Sequence, residues 1–216
     1  MDIQEKDQTL GTDDLEILQE VMNIAFGRAA ADLAKFINIF VNLSVPHISL
    51  ISKSEIGSTL HSKLEGMNKN VSVVRQDFWG DLSCSAVLIF PAHTENEIIS
   101  IMGTNELKVE FNEISTSLAQ ETLLELGNIL IGACAGKIAQ LLETNVSFTP
   151  PFAVIDEPMG EAIEQMELHE SDQILSLQTQ FSFEERDVSG ILLIAGHKSS
   201  FAWIKEALAK FMAQYE

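Results

Sequence analysis

Apolar residues first recur at helical spacing from Leu15 onward: Leu15, Leu18, Met22, Ala25, Phe26, Ala29, Leu33 and Phe36 fall on one side of a helix. Asp13-Asp14-Leu15-Glu16 offers an N-cap with a glutamate three residues on, so the helix is expected to start there. Leu123, Leu126, Ile129, Leu130, Ala133 and Leu141 make a second such side, with Ser117-Leu118-Ala119-Gln120 as its start. Each helix is expected to run about six turns. Each is followed by a β-prone stretch entering a proline, Val41–Pro46 and Val146–Pro151, where the missing N–H suits a strand edge or boundary. Farther on, Asn70–Trp79 and Ile174–Phe183 alternate in part with period two, and Cys84–Phe90 and Ser189–Ala195 are short apolar runs. These read as two antiparallel pairs, with turns at Gly80-Asp81 and at Glu184-Glu185-Arg186-Asp187. Second helices are expected at Thr94–Met102 and Lys198–Phe211, and a helical or irregular insertion at Glu157–Asp172.

The parallel between the two lists is a duplication. Laying Glu16–Pro46 over Glu121–Pro151 without a gap gives identities at ten of thirty-one positions, among them Glu16/Glu121, Glu20/Glu125, Asn23/Asn128, Gly27/Gly132 and Pro46/Pro151. The same offset of 105 places Phe78 on Phe183 and Leu88-Ile89 on Leu193-Ile194. The expected unit is helix, strand, strand, strand, helix, with copies at residues 12–105 and 115–211 of one domain spanning 1–216. The fold class is α/β (α+β): a pseudo-twofold duplication whose strands join one antiparallel sheet, with both long helices on its outer face.

Composition narrows the partners. Thirty-two acidic against thirteen basic residues give a formal charge of −19, which repels nucleic acid phosphates and anionic membrane surfaces. That excess serves solubility first, and steering toward a basic partner second. Runs such as Ile129–Ala135 and Ala86–Pro91 fall short of the roughly 20 residues that cross a bilayer, so no span is expected. The first residues, Met1–Asp7, have neither the basic nor the apolar region of a secretion signal, and the chain is expected in the cytoplasm as a monomer. Cys84 and Cys134 lack CxxC spacing and read as buried small hydrophobes. His47, His61, His93, His169 and His197 show no ligand spacing, there is no GxSxG or phosphate-binding glycine loop, and no metal of the protein's own is expected.

Candidate chemistry lies on the polar side of the two long helices. At 100° per residue Glu16, Glu20, Asn23 and Gly27 fall within about 60° of one another, and Glu121, Glu125, Asn128 and Gly132 repeat them. Glu16 and Glu121 serve equally well as capping or solvating residues. The asparagines are harder to dismiss, because Asn costs several tenths of a kcal/mol relative to Ala inside a helix and is favoured at caps and turns. Gly27 and Gly132 each cost roughly another 1 kcal/mol in propensity. A glycine there admits a partner's surface close to the backbone, or else close packing of the two long helices; the first is the preferred reading.

Glu20-x2-Asn23-x22-Pro46 and Glu125-x2-Asn128-x22-Pro151 resemble the signature of the CheC/CheX/FliY phosphatases of bacterial chemotaxis, and two copies in one chain look most like the two-site CheC layout. The family usually carries Asp or Ser four residues before the glutamate, where this chain has Glu16 and Glu121. The resemblance implies hydrolysis of the aspartyl-phosphate on a CheY-like receiver domain, with Asn23 and Asn128 holding water, and Glu20 and Glu125 pairing with the receiver's lysine. Glu16, Gly27, Glu121 and Gly132 would lie against the partner. Mg²⁺ is expected in the receiver and no cofactor in this chain. The alternative the resemblance leaves is a non-catalytic module or scaffold that regulates a CheD-like deamidase or a receiver domain.

Overall fold

In the computed structural model, which describes residues 9–37, 39–52, 55, 58, 70–102, 116–165, 174–184, 186 and 188–214, the chain runs α1 (Thr12–Ile37), β1 (Val41–Leu43), β2 (His47–Ile51), β3 (Asn70–Gly80), β4 (Cys84–Pro91), α2 (Glu95–Ile101), α3 (Thr116–Leu141), β5 (Val146–Phe148), β6 (Phe152–Pro158), α4 (Met159–Gln165), β7 (Ile174–Phe183), β8 (Ser189–His197) and α5 (Phe201–Met212). All eight strands join one antiparallel sheet in the order β1-β7-β8-β4-β3-β5, with β2 also on β7 and β6 also on β3. The two hairpins, β3-β4 and β7-β8, meet at the centre through β4 and β8. The outer strands cross over: β1 and β2 pair with the second hairpin, and β5 and β6 with the first.

Helices α1 and α3 pack side by side over one face of this sheet. Leu18, Val21, Met22, Ala25, Phe26, Ala29 and Leu33 of α1 are buried there against Leu123, Leu126, Leu130, Ile131, Cys134 and Ile138 of α3 and against sheet residues such as Phe78, Leu88, Phe181 and Ile194. Each large apolar side chain so buried contributes about 1.5–3 kcal/mol. The opposite face of the sheet holds Val73, Val87, Ile89, Ile191 and Leu193, packed with Ala162, Met159 and Ile163 of α4. Cys84 and Cys134 are free and buried, and burial pushes the Cys134 thiol up to about 12.

Several sequence expectations need adjusting. Both long helices have 26 residues, about seven turns rather than six. Helix α1 starts at Thr12, and it is Asp14, not Glu16, that accepts the Gly11 N–H at 2.8 Å, so Glu16 is released from the capping role. Helix α3 starts at Thr116, which leaves Ser117 inside its first turn. Each proline-bounded stretch continues as a further strand, β2 after Pro46 and β6 after Pro151, because proline ends only the ladder it cannot donate to. Strand β6 also takes Glu157 and Pro158, the helical part of the insertion is α4, and residues 166–172 lie outside those described, as do the Phe36 side chain, Glu185 and Asp187. Among the described residues α3 is long and apolar enough to cross a membrane by length and composition, against the expectation from uninterrupted runs. Its apolar side chains are the ones packed against α1 and the sheet.

The constant offset also fails beyond the second strand. Ile48 and Ala153, which are 105 apart, pair with Leu177 and Val74, so β3 and β7 are related by two residues fewer than the sequence alignment assumed. Phe78 therefore corresponds to Phe181 rather than Phe183. Following the hairpins, Cys84 corresponds to Gly190 and Leu88 to Ile194, one residue beyond that offset. Burial agrees, since Leu88 and Ile194 face the helices whereas Leu193 faces away.

Candidate functional site

The stripe residues sit where the polar side of each helix was expected. Glu16, Glu20, Asn23 and Gly27 of α1 are exposed, as are Glu121, Glu125 and Asn128 of α3, and Gly132 is half-buried. Helices α1 and α3 are held to each other by their apolar sides and by a surface ion pair, Lys137 Nζ to Asp32 Oδ2 at 2.6 Å. That pair, with Lys35 behind it, holds the Asp32 carboxyl below its ordinary value. Glu121 accepts a long hydrogen bond of 3.4 Å from the Ser117 hydroxyl, one turn earlier on α3.

The two glycines divide the alternatives that the sequence left open. A Cβ added at Gly27 or at Gly132 meets nothing within 4 Å, so packing inside the molecule does not require either of them. On the two long helices, the glycine that packing does require is Gly127, which lies off the stripe. There a Cβ would lie 2.5 Å from Cγ1 of Val74, a fully buried residue of β3.

Beneath the two asparagines the copies differ. Gln76 on β3 is buried, and its Nε2 donates both to the Thr149 carbonyl at 2.9 Å and to Asn128 Oδ1 at 3.0 Å. Its Oε1 is buried without a partner among the described residues, which costs about 1–3 kcal/mol. The register of the strands makes Thr179 the counterpart of Gln76, and Ser44 is the counterpart of Thr149. The Thr179 hydroxyl donates to the Ser44 carbonyl at 2.6 Å, as Gln76 does to Thr149, and the Gln180 and Asp77 N–H groups are matched by the Ser44 and Thr149 hydroxyls, each at 3.0 Å. The threonine is shorter, and no described residue bonds the Asn23 side chain in the way Gln76 bonds Asn128. In the sequence Gln76 lies within the polar run Arg75-Gln76-Asp77 of β3, so nothing there singles it out or names its partner.

No family model matches the chain. Among solved structures it is similar to FliY from Thermotoga maritima, with a TM-score of 0.69 at 17% identity, covering 94% of this chain and 99% of that one. It is also similar to the FliM middle domain from Vibrio alginolyticus, with a TM-score of 0.56 at 12% identity over 90% and 99% of the two chains. A CheX from Desulfovibrio desulfuricans shares the fold with a TM-score of 0.51 at 10% identity, over 82% of this chain and 99% of that one. These likenesses define a CheC/CheX/FliY-type fold, and on it stand two exposed Glu/Asn pairs at matching places. A curated relative, the CheY-P phosphatase CheC of Bacillus subtilis (strain 168), is 27% identical over 143 residues, which is 66% of this chain. The match spans 66% of the relative's length as well, just under two thirds. The chain thus resembles the CheC/CheX/FliY proteins of chemotaxis, sharing their fold and, with CheC, part of its sequence.

Proposed function

We propose that this chain hydrolyses the aspartyl-phosphate of a CheY-like response regulator, with one site on α1 and one on α3. The observation that carries the reading is the pair of exposed Glu/Asn motifs, each beside a glycine that the protein's own packing does not require. A phosphorylated receiver domain brings Mg²⁺ and a lysine to neutralise the phosphoryl oxygens, so what remains is to hold water in line for attack. A carboxamide suits that task. Asn23 or Asn128 accepts a hydrogen bond from the water without adding negative charge beside an anionic phosphoryl group, and such positioning removes several kcal/mol of entropic barrier. Glu20 and Glu125, two of the four carboxylates on the stripes, pair with the receiver's lysine and set the docking angle. Gly27 and Gly132 let the receiver approach the helix backbone. No phosphate is transferred to this chain, and no metal or cofactor of its own takes part; the site of action is the cytoplasm.

The test is loss of phosphate from a phosphorylated receiver domain with and without this protein. Acceleration that survives Asn23→Ala or Asn128→Ala alone, and disappears in the double variant while the fold is kept, is the expected result. A double variant as active as the parent overturns the assignment. The second reading, a scaffold that binds without catalysis, is favoured by the likeness to FliM, one of whose solved structures is a FliG–FliM complex. Binding of the receiver, or of a CheD-like protein, with no change in phosphate loss would decide for it.

A further inference from the structure

We infer that Gln76 is a positioning residue for the α3 site, fixing the orientation of the Asn128 carboxamide; this rests on the proposed reading of that site as catalytic. Gln76 cannot be turned end for end at no cost. One hydrogen of its Nε2 is committed to the Thr149 backbone carbonyl, which cannot donate, so a flipped Gln76 would set oxygen against oxygen. With that end fixed, the second Nε2 hydrogen points at Asn128, and only the oxygen of the Asn128 amide can accept it. The glutamine thus determines which end of an otherwise exposed carboxamide faces the sheet. Asn128 Oδ1 keeps one lone pair for the hydrogen of an attacking water, and its Nδ2 is turned away from Gln76. The anchor belongs to the first half of the chain and the asparagine to the second, so the α3 site is built from both copies.

Burial sharpens the point. Gln178 is as buried as Gln76, and its Oε1 also lacks a partner among the described residues, but its Nε2 bonds Ser176 and reaches no stripe residue. In the first-half site Thr179 stands where Gln76 stands in the second, and its hydroxyl is taken by Ser44. Of the two asparagines, Asn128 alone is tied to a buried strand residue among the described ones.

Two measurements test this. In the Asn23→Ala protein, which leaves the α3 site alone, Gln76→Met keeps the shape of the side chain but not its donors, and Gln76→Thr copies the residue found at Thr179. Both should lower kcat for dephosphorylation about tenfold or more, with KM for the phosphorylated receiver within about twofold, as expected for lost orientation rather than lost binding. Gln178→Met, the same loss at the other buried glutamine, should leave kcat unchanged. Unchanged kcat in both Gln76 variants, or an equal fall with Gln178→Met, overturns the inference. The second readout needs no activity: NMR relaxation of the side-chain amides in the intact protein should show Asn128 more ordered than Asn23, and Gln76→Met should bring Asn128 to the level of Asn23. An Asn128 amide equally mobile with and without Gln76 overturns the positioning role. A parent protein with no turnover but an ordered Asn128 would defeat the phosphatase reading and leave the Gln76 contact standing.

Discussion

Gly132→Ala should make this protein more stable, and Gly127→Ala, five residues earlier on the same helix, should not. Replacing glycine by alanine inside a helix gains about 0.8–1.0 kcal/mol in propensity. At Gly132 nothing lies within 4 Å of the new Cβ, so the gain is kept, and for a chain of this size it should raise Tm by about 2–4 °C. At Gly127 the same gain is set against a Cβ placed 2.5 Å from Val74 Cγ1, 3.0 Å from its Cβ and 3.3 Å from its Cγ2. Val74 is fully buried and β-branched, with few rotamers to retreat into, so overpacking costs about 1–3 kcal/mol. The net change then runs from about neutral to about 2 kcal/mol destabilising. The propensity term cancels in the difference between the variants, so the gap measures the overpacking alone. Thermal unfolding and urea midpoints provide the stability readout, and dephosphorylation of a receiver the functional one. If Gly132 serves a docking surface, its variant should be more stable and less active at once. A Gly132→Ala protein that melts below the parent would refute the claim that open space surrounds that position, and equal rises at both positions would refute the packing argument for Gly127.

The double Asn23→Asp/Asn128→Asp protein should fold normally, with changes near ±0.5 kcal/mol by urea unfolding, yet lose turnover and bind a receiver carrying a stable phosphoryl mimic more weakly than the double Asn→Ala protein. Asp32 has a depressed carboxyl pKa in the folded state, so its contribution is present above the unfolded pKa and lost as pH falls through the folded one. The stability advantage of the parent over Asp32→Asn should therefore hold near neutral pH and fade below about pH 4, as read from urea midpoints across that range. Cutting the chain between Met102 and Thr116 should leave either piece unfolded alone, because among the described residues β1 and β2 pair only with β7, and β5 and β6 only with β3; co-expressed pieces should associate, and a well-dispersed NMR spectrum from one piece alone would contradict this.

What could be read in advance follows from how many residues vote on each feature. The helix faces were legible because the apolar period persists along 26 residues, so a local exception such as Thr122 does not turn the stripe. Their starts were not, because Asp13 and Asp14 both suit an N-terminus and only the geometry shows Asp14 reaching Gly11. Strand register was the main loss. Positions 84–90 of β4 and 190–196 of β8 are buried on both faces, so neither strand carries the polar alternation that would mark which side meets the helices. Leu88-Ile89 can then be laid over Leu193-Ile194 with no visible penalty, although that one-residue slip turns every side chain to the wrong face. The Asn pair was readable because asparagine is out of place inside a helix, whereas a glutamine inside a strand has too many ordinary uses to stand out.

That register has a consequence for the candidate sites. Since β5 and β6 cross to β3, the carbonyl of Thr149 arrives beside Gln76, a residue of the other copy, and orients it toward Asn128. The mirror arrangement brings Ser44 to Thr179, where the shorter side chain completes the backbone contact and stops there. The shared part of the two copies is thus the strand crossing, which the fold needs, and the difference lies in one side chain beneath each asparagine. A duplicated sequence motif therefore does not imply two equivalent sites. The Asn128 carboxamide is braced by Gln76, the Asn23 carboxamide has no such brace among the described residues, and a measured difference between Asn23→Ala and Asn128→Ala should be traced first to Gln76 and Thr179, before the stripes themselves.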